Sequence, residues 1–166
     1  MKRSFSLIIL IVFFIAGCAG QTTIKPEAEF KIKNIKTASV TVNTLLPDCE
    51  KEIIQIEKNL TEKLKEANIF SRILEKEQSA DLIIKVDIEE LAKVSKSDRF
   101  WYGAMAGRGK VAGRITLIEG FSGKILGSFY VESLTSGGTI FAGTTEQAID
   151  NFIEKIISFI QENIIL

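Results

Sequence analysis

No histidine occurs among the 166 residues, so the commonest general base and metal ligand is missing. A serine or cysteine nucleophile would lack its usual partner, and no cluster of acidic or thiol residues has metal-ligand spacing. No cofactor and no metal are therefore expected, and an enzyme is the weaker class. Cysteine is almost as scarce. Cys18 and Cys49 are the only two, too few for a disulfide framework. Charge of either sign is not in excess, with 21 basic residues against 21 acidic, so the basic footprint of a nucleic-acid binder is absent. Proline is confined to Pro26 and Pro47. A long apolar run is missing too: Leu7 to Ala16 is ten residues, whereas a bilayer takes roughly 20.

That short run carries information of another kind. Met1-Lys2-Arg3 supplies a cationic start, the apolar stretch follows, and small Ala16 and Gly17 precede Cys18. This is the layout of a secretory signal peptide. Ile15-Ala16-Gly17-Cys18 resembles the lipobox of bacterial lipoproteins. The resemblance implies cleavage after Gly17, acylation of the Cys18 sulfur, and Cys18 as the mature N-terminus. Palmitate-type acylation on both sulfur and amino group gives more than one chain, which stable anchoring needs. Ala19 resembles the residue of lipoproteins sent on to the outer membrane, where retention signals place Asp. Removing the first 17 of 166 residues leaves 149, and the loss of Lys2 and Arg3 leaves 19 basic against 21 acidic residues.

Residues 18–35 are polar and mixed, and read as a lipidated N-terminus and tether reaching about 50 Å if fully extended. Residues 36–166 read as a single domain. Val40 and Val42 share one face of a short strand. Pro47 breaks the chain, and Asp48 is placed to cap a helix from about Cys49 to Ala67 whose stripe is Ile53, Ile56, Leu60 and Leu64. Asn68 is its stop, and Ile69 to Leu74 is a short extended run. Cys49, beside that helix start, reads as a partly buried structural thiol or as a reactive or intermolecularly paired one.

Ala80 to Ala92 alternates cleanly, with Leu82, Ile84, Val86 and Ile88 on one face. Lys110 to Ile118 and Lys124 to Leu134 alternate as well and flank Glu119-Gly120-Phe121-Ser122-Gly123, the pattern of a β-hairpin. Thr144 and Gln147 form a capping-box pattern ahead of a terminal helix striped by Ile149, Phe152, Ile153, Ile156, Ile157, Ile160 and Ile164. The fold class expected is α+β: a mixed, largely antiparallel sheet of four to five strands, in the order β-α-β-β-β-β-α, covered by two helices.

Between the third and fourth strands lies Gly103-Ala104-Met105-Ala106-Gly107-Arg108-Gly109-Lys110. A phosphate loop needs a hydroxyl after Gly-Lys, and Val111 stands there; a dinucleotide fingerprint opens a helix, and this stretch leads into a strand. Close backbone approach or a bulge suits the glycines better. Just ahead are Arg99, Phe100, Trp101 and Tyr102, with Met105 nearby. Two readings stand: a docking or membrane-contact surface, or a loop whose aromatics complete the core. Glu89-Glu90, adjacent on a strand, would point to opposite faces and so not flank one substrate.

The Ala80-Asp81-Leu82-Ile83-Ile84-Lys85-Val86 segment, Gly103 to Gly113, the Ser122-Gly123-Lys124-Ile125-Leu126 turn and the terminal helix occur in the order seen in a family of small bacterial lipoproteins defined by a domain of unknown function. The chain resembles that family over roughly its last two thirds. The resemblance brings no activity and no catalytic residues. The layout also resembles periplasmic accessory lipoproteins. The function expected is a lipid-anchored, non-enzymatic envelope module on the periplasmic face of the outer membrane, attached through Cys18. It would bind an envelope protein partner through Arg99, Phe100, Trp101, Tyr102 and Met105, and no nucleic acid. The alternative is a small-ligand or glycan binder using a cleft beside the glycines; an envelope hydrolase comes last.

Overall fold

The structure, a computed structural model, describes residues 20–26, 32–33, 35–74, 80–136 and 143–165. Residues 1–19, where the signal segment and the modified Cys18 are expected, lie outside the described residues, as do the side chains of residues 32, 33, 99, 103, 104, 164 and 165. The strands are β1 (Gln21–Pro26), β2 (Ile32–Lys33), β3 (Thr37–Thr44), β4 (Arg72–Leu74), β5 (Leu82–Ala92), β6 (Lys110–Glu119), β7 (Ile125–Leu134) and β8 (Ile164–Ile165). The helices are α1 (Glu50–Glu66), α2 (Lys96–Tyr102), continued by a 3-10 turn at Gly103–Ala106, and α3 (Thr145–Asn163).

Six strands form one mixed sheet in the order β1-β7-β6-β5-β3-β4. β3 runs parallel to β4 and β5, and every other neighbour is antiparallel. The α+β class and the sheet's antiparallel bias are as the alternation implies. The strand count is larger because β1 joins the sheet. Residues 21–26, expected within a tether, pair with β7 from Gln21↔Leu134 to Pro26↔Phe129. Their polarity is that of an edge strand, with Ile24 alone packed on the core.

One face of the sheet is dry. Leu82, Ile84 and Val86 of β5, Ile115 and Leu117 of β6, and Phe129 and Val131 of β7 are buried on it. α1 contributes Ile56, Leu60 and Leu64, and α3 contributes Ala148, Ile149, Phe152, Ile153, Ile156, Ile157 and Ile160. Burying each large side chain stabilises by about 1.5–3 kcal/mol before entropy is counted. α3 thus packs on the sheet, and among the described residues no helix is long and apolar enough to cross a membrane.

Helix ends follow local chemistry, with two corrections. Asp48 does not cap α1: it sits at φ 55°, Cys49 occupies the cap position without a side-chain bond, and the Asp48 carbonyl accepts from Lys93. α3 ends at Asn163, so Ile164 leaves the helical stripe and pairs with Ile32. Asn68 does stop α1, in the left-handed region at φ 50°. Gln147 Oε1 accepts the Thr144 N–H at 3.1 Å, one half of the expected capping box. The β6–β7 hairpin closes through Gly123 at φ 69°.

Candidate functional site

β5 ends at Ala92, which pairs with Lys110 at the start of β6; Lys110 pairs with Leu134 at the end of β7, and Leu134 with Gln21 at the start of β1. These four residues form one lateral row across four strands. The chain before Gln21 and the chain after Ala92 both leave the sheet beyond that row, on the same end.

Two buried threonines bind the loops there. The Thr145 hydroxyl accepts the Val94 N–H at 2.6 Å and lies 3.2 Å from the Ala92 carbonyl. Thr135 Oγ accepts the Gly109 N–H at 2.9 Å and reaches the carbonyls of Gly109 and Gly143, each at 3.2 Å. A β-carbon on Gly109 would stand 2.9 Å from the Thr144 carbonyl, and one on Gly113 would stand 2.6 Å from the Asp87 oxygen. Gly109 and Gly113 therefore serve close backbone approach, as the sequence implies, whereas Gly107 has open space around it and serves a turn at φ 81°. Gly113 faces the β5 bulge between Ile88 and Glu90.

From this rigid root α2 projects. Its start is a Ser95-x-x-Asp98 box: the Asp98 carboxylate accepts from the Ser95 N–H at 2.8 Å, and Ser95 Oγ accepts the Asp98 N–H at 3.1 Å. The two Ser95 bonds, backbone first, hold the Asp98 carboxyl below its usual range. No described residue from Ser95 to Arg108 is buried. Phe100 is 76% exposed, Trp101 75%, Tyr102 66% and Met105 90%. Consecutive helical residues are about 100° apart, so three in a row fan over more than half the circumference. Their joint exposure means that the helix turns no broad side to the core. The aromatics do not complete the core. Phe100 and Trp101 pack edge to face at 5.3 Å. Arg99 falls on the same helix, and its side chain lies outside the described residues.

The sheet face away from the helices is laced with charge. Lys110 bonds Glu90 at 2.8 Å and Glu132 at 3.4 Å, Arg114 meets Glu89 at 3.6 Å, and Lys85 meets Asp87 at 3.0 Å. Glu89 and Glu90 thus reach cations on one face, contrary to simple alternation, because the bulge interrupts the pleat between them. The Glu90 bond leads in holding the Lys110 ammonium above its usual range. Burial first, then Glu90, Glu89 and Glu132, pushes up the Tyr130 hydroxyl. A groove of about 540 Å³ lies between β3 and β5, lined by Asn43, Leu46, Lys85, Asp87 and Glu89. Ile88, which also lines it, pairs with Gly113 at the end of the glycine-rich stretch.

At the other side of α1, burial works to raise the Glu52 carboxyl. The Lys93 ammonium, bonded at 2.9 Å, outweighs it and holds the group below its usual range. Cys49 is buried, which agrees with a structural thiol. Among the described residues no three acidic or thiol groups gather as a metal site, and no buried side-chain polar atom is left without a partner. The α2 projection is what sequence reading underdescribed. The Ser95-x-x-Asp98 pattern is the signal that marks it as a helix.

Residues 46–138 match the sequence profile of a domain of unknown function, DUF4410. The chain belongs to this family. The DUF4410 span takes in α1, the bulged β5, the aromatic projection and the hairpin, and ends before α3, so the terminal helix is not part of the match. No curated protein matches the chain by sequence. Among solved structures it is similar to the PelC dodecamer from Paraburkholderia phytofirmans, at 17% identity and a TM-score of 0.57 over 83% of this chain and 96% of that one. A point variant of the same dodecamer gives 16% identity and a TM-score of 0.58 over 83% and 95%. Lipoprotein GNA1162 from Neisseria meningitidis aligns at 10% identity and a TM-score of 0.47 over 76% and 99%. At these identities the likeness to PelC is one of fold.

Proposed function

We propose that this DUF4410 chain is a lipid-anchored, non-enzymatic protein of the periplasmic envelope that serves as a binding or assembly module. The observation that carries the reading is the join between address and fold. The lipobox-like Cys18 stands two residues ahead of Gly20, and Gln21 is already in the sheet. Acylation of Cys18 fits a domain set directly on a membrane, and Ala19 favours the outer one. The missing histidine weighs against hydrolytic chemistry. An exposed aromatic helix with no core role is a contact surface that an anchored module of this kind would present to a partner or to the bilayer. The dodecamers named for PelC make self-assembly the first form of assembly to test.

The reading predicts incorporation of labelled palmitate into wild type and none into Cys18→Ser, with the wild type in outer-membrane fractions. Crosslinking of the intact lipoprotein would then return a defined protein neighbour, a second copy included. A wild-type protein free of lipid and recovered in the soluble fraction would overturn the reading. A second reading, small-ligand or glycan binding, draws on the β3–β5 groove of about 540 Å³. Thermal shift with cell-wall fragments tests it, and Lys85→Ala would abolish a genuine shift.

A further inference from the structure

We infer that the exposed face of α2 and its following turn lies in the headgroup region of the bilayer that holds the Cys18 lipid. The inference rests on the anchored reading above and deepens it by naming the surface that the aromatics meet. Three observations converge. First, the sheet fixes direction: the chain before Gln21 and the chain after Ala92 leave the same end of the row. A β-carbon on Gly20 would be 2.8 Å from the Leu134 carbonyl, so Gly20 lies against the end of β7.

Second, distance is short. Cys18 is two residues from Gly20, within about 7 Å by chain length. Three interstrand steps between β1 and β5 amount to about 14 Å. Acyl chains entering a bilayer from Cys18 therefore bring this end of the sheet, with α2 on it, to the membrane surface.

Third, the chemistry fits a headgroup layer and not an apolar partner pocket. Trp101 and Tyr102 combine an apolar ring with a polar tip, as residues of the membrane interface do. Residues 95–109 carry Lys96, Arg99 and Arg108 against the single acid Asp98, whose carboxylate is occupied by Ser95. Basic residues in the same segment as the aromatics favour anionic lipid.

Trp101 is the only tryptophan in the chain, so its fluorescence reports on this face alone. The full lipidated protein would be reconstituted on vesicles of phosphatidylethanolamine and phosphatidylglycerol, with and without brominated phosphatidylcholine. Flotation reads the anchor separately. Floating protein whose Trp101 emission shifts to the blue, resists acrylamide and is quenched by brominated lipid supports the inference. Phe100→Ser with Tyr102→Ser should weaken that quenching while far-ultraviolet dichroism and flotation stay unchanged. Floating protein with Trp101 open to acrylamide and untouched by brominated lipid overturns the inference and leaves the anchor intact. A blue shift without lipid quenching, dependent on protein concentration, assigns the face to a protein instead and overturns it too. Failure to float removes the anchor and the inference together.

Discussion

The hydroxyl of Thr145 accepts the amide proton of Val94 at 2.6 Å, joining the start of α3 to the end of β5 across 51 positions of sequence. The Thr145 N–H donates back to the Val94 carbonyl at 3.0 Å, so the two residues are bonded in both directions. Val94 is also the last buried residue before the exposed projection. Tension at α2 is therefore delivered to a helix packed on the core, not to a loose loop.

Thr145→Val keeps the shape and removes the acceptor, leaving the Val94 N–H buried and unsatisfied. The expected loss is about 1–3 kcal/mol. Chemical denaturation measures it, and faster amide exchange at Val94 than in β5 locates it.

Gly109→Ala forces a β-carbon to 2.9 Å from the Thr144 carbonyl, which is backbone and gives way only if α3 shifts. The expected cost is about 1–3 kcal/mol by overpacking. Trp101→Ala, on the exposed projection nearby, should change stability by no more than about 0.5 kcal/mol. Paired thermal melts would expose any hidden core role for the tryptophan as a comparable drop.

The Asp81 carboxylate accepts the N–H groups of Lys36 and Thr37 at 3.0 and 2.9 Å, and the Thr37 hydroxyl at 2.9 Å. The Thr37 amide bond is foremost in holding the Asp81 carboxyl below its usual range. A carboxyl depressed in the folded state contributes stability above its unfolded value, about 3.9, and loses it as pH falls through the folded one. Stability measured from neutral pH downward should therefore decline less for Asp81→Asn than for wild type, after an initial loss at neutral pH.

Thiol titration separates the two cysteines. Cys49 is 5% exposed, so the native protein should react slowly with Ellman's reagent. After unfolding, the lipidated protein should yield one thiol and Cys18→Ser the same one. Two thiols from unfolded wild type would mean that Cys18 carries no thioether.

Alternation and helical stripes are strong where a face is wholly dry, which is why β5, the hairpin, α1 and α3 were legible. Leu82, Ile84, Val86 and Ile88 are all buried as their spacing implies. β1 was not legible because an edge strand buries little: only Ile24 among its six residues packs on the core, and its order comes from pairing with β7. The Glu89-Glu90 pair misled for a different reason. A bulge is a feature of the pairing between two strands, here opposite Gly113 of β6, and nothing in β5 itself announces it. The aromatic stretch was found as a feature, and its exposure became visible only with the fold. A core role and a surface role place the same residue types in the same order. The Ser95-x-x-Asp98 cap tips the backbone toward a helix that no sheet face can cover.

The β6–β7 hairpin closes on Phe121, which is wholly exposed, at the end of the sheet remote from Gln21. Ten residues of β6 at about 3.4 Å each make a spacer of roughly 34 Å. β6 is paired on both sides, with β5 and with β7, so this spacer is stiff along its length. A membrane at the Gln21 end would make the hairpin a gauge, presenting one phenylalanine at a fixed height above the lipid.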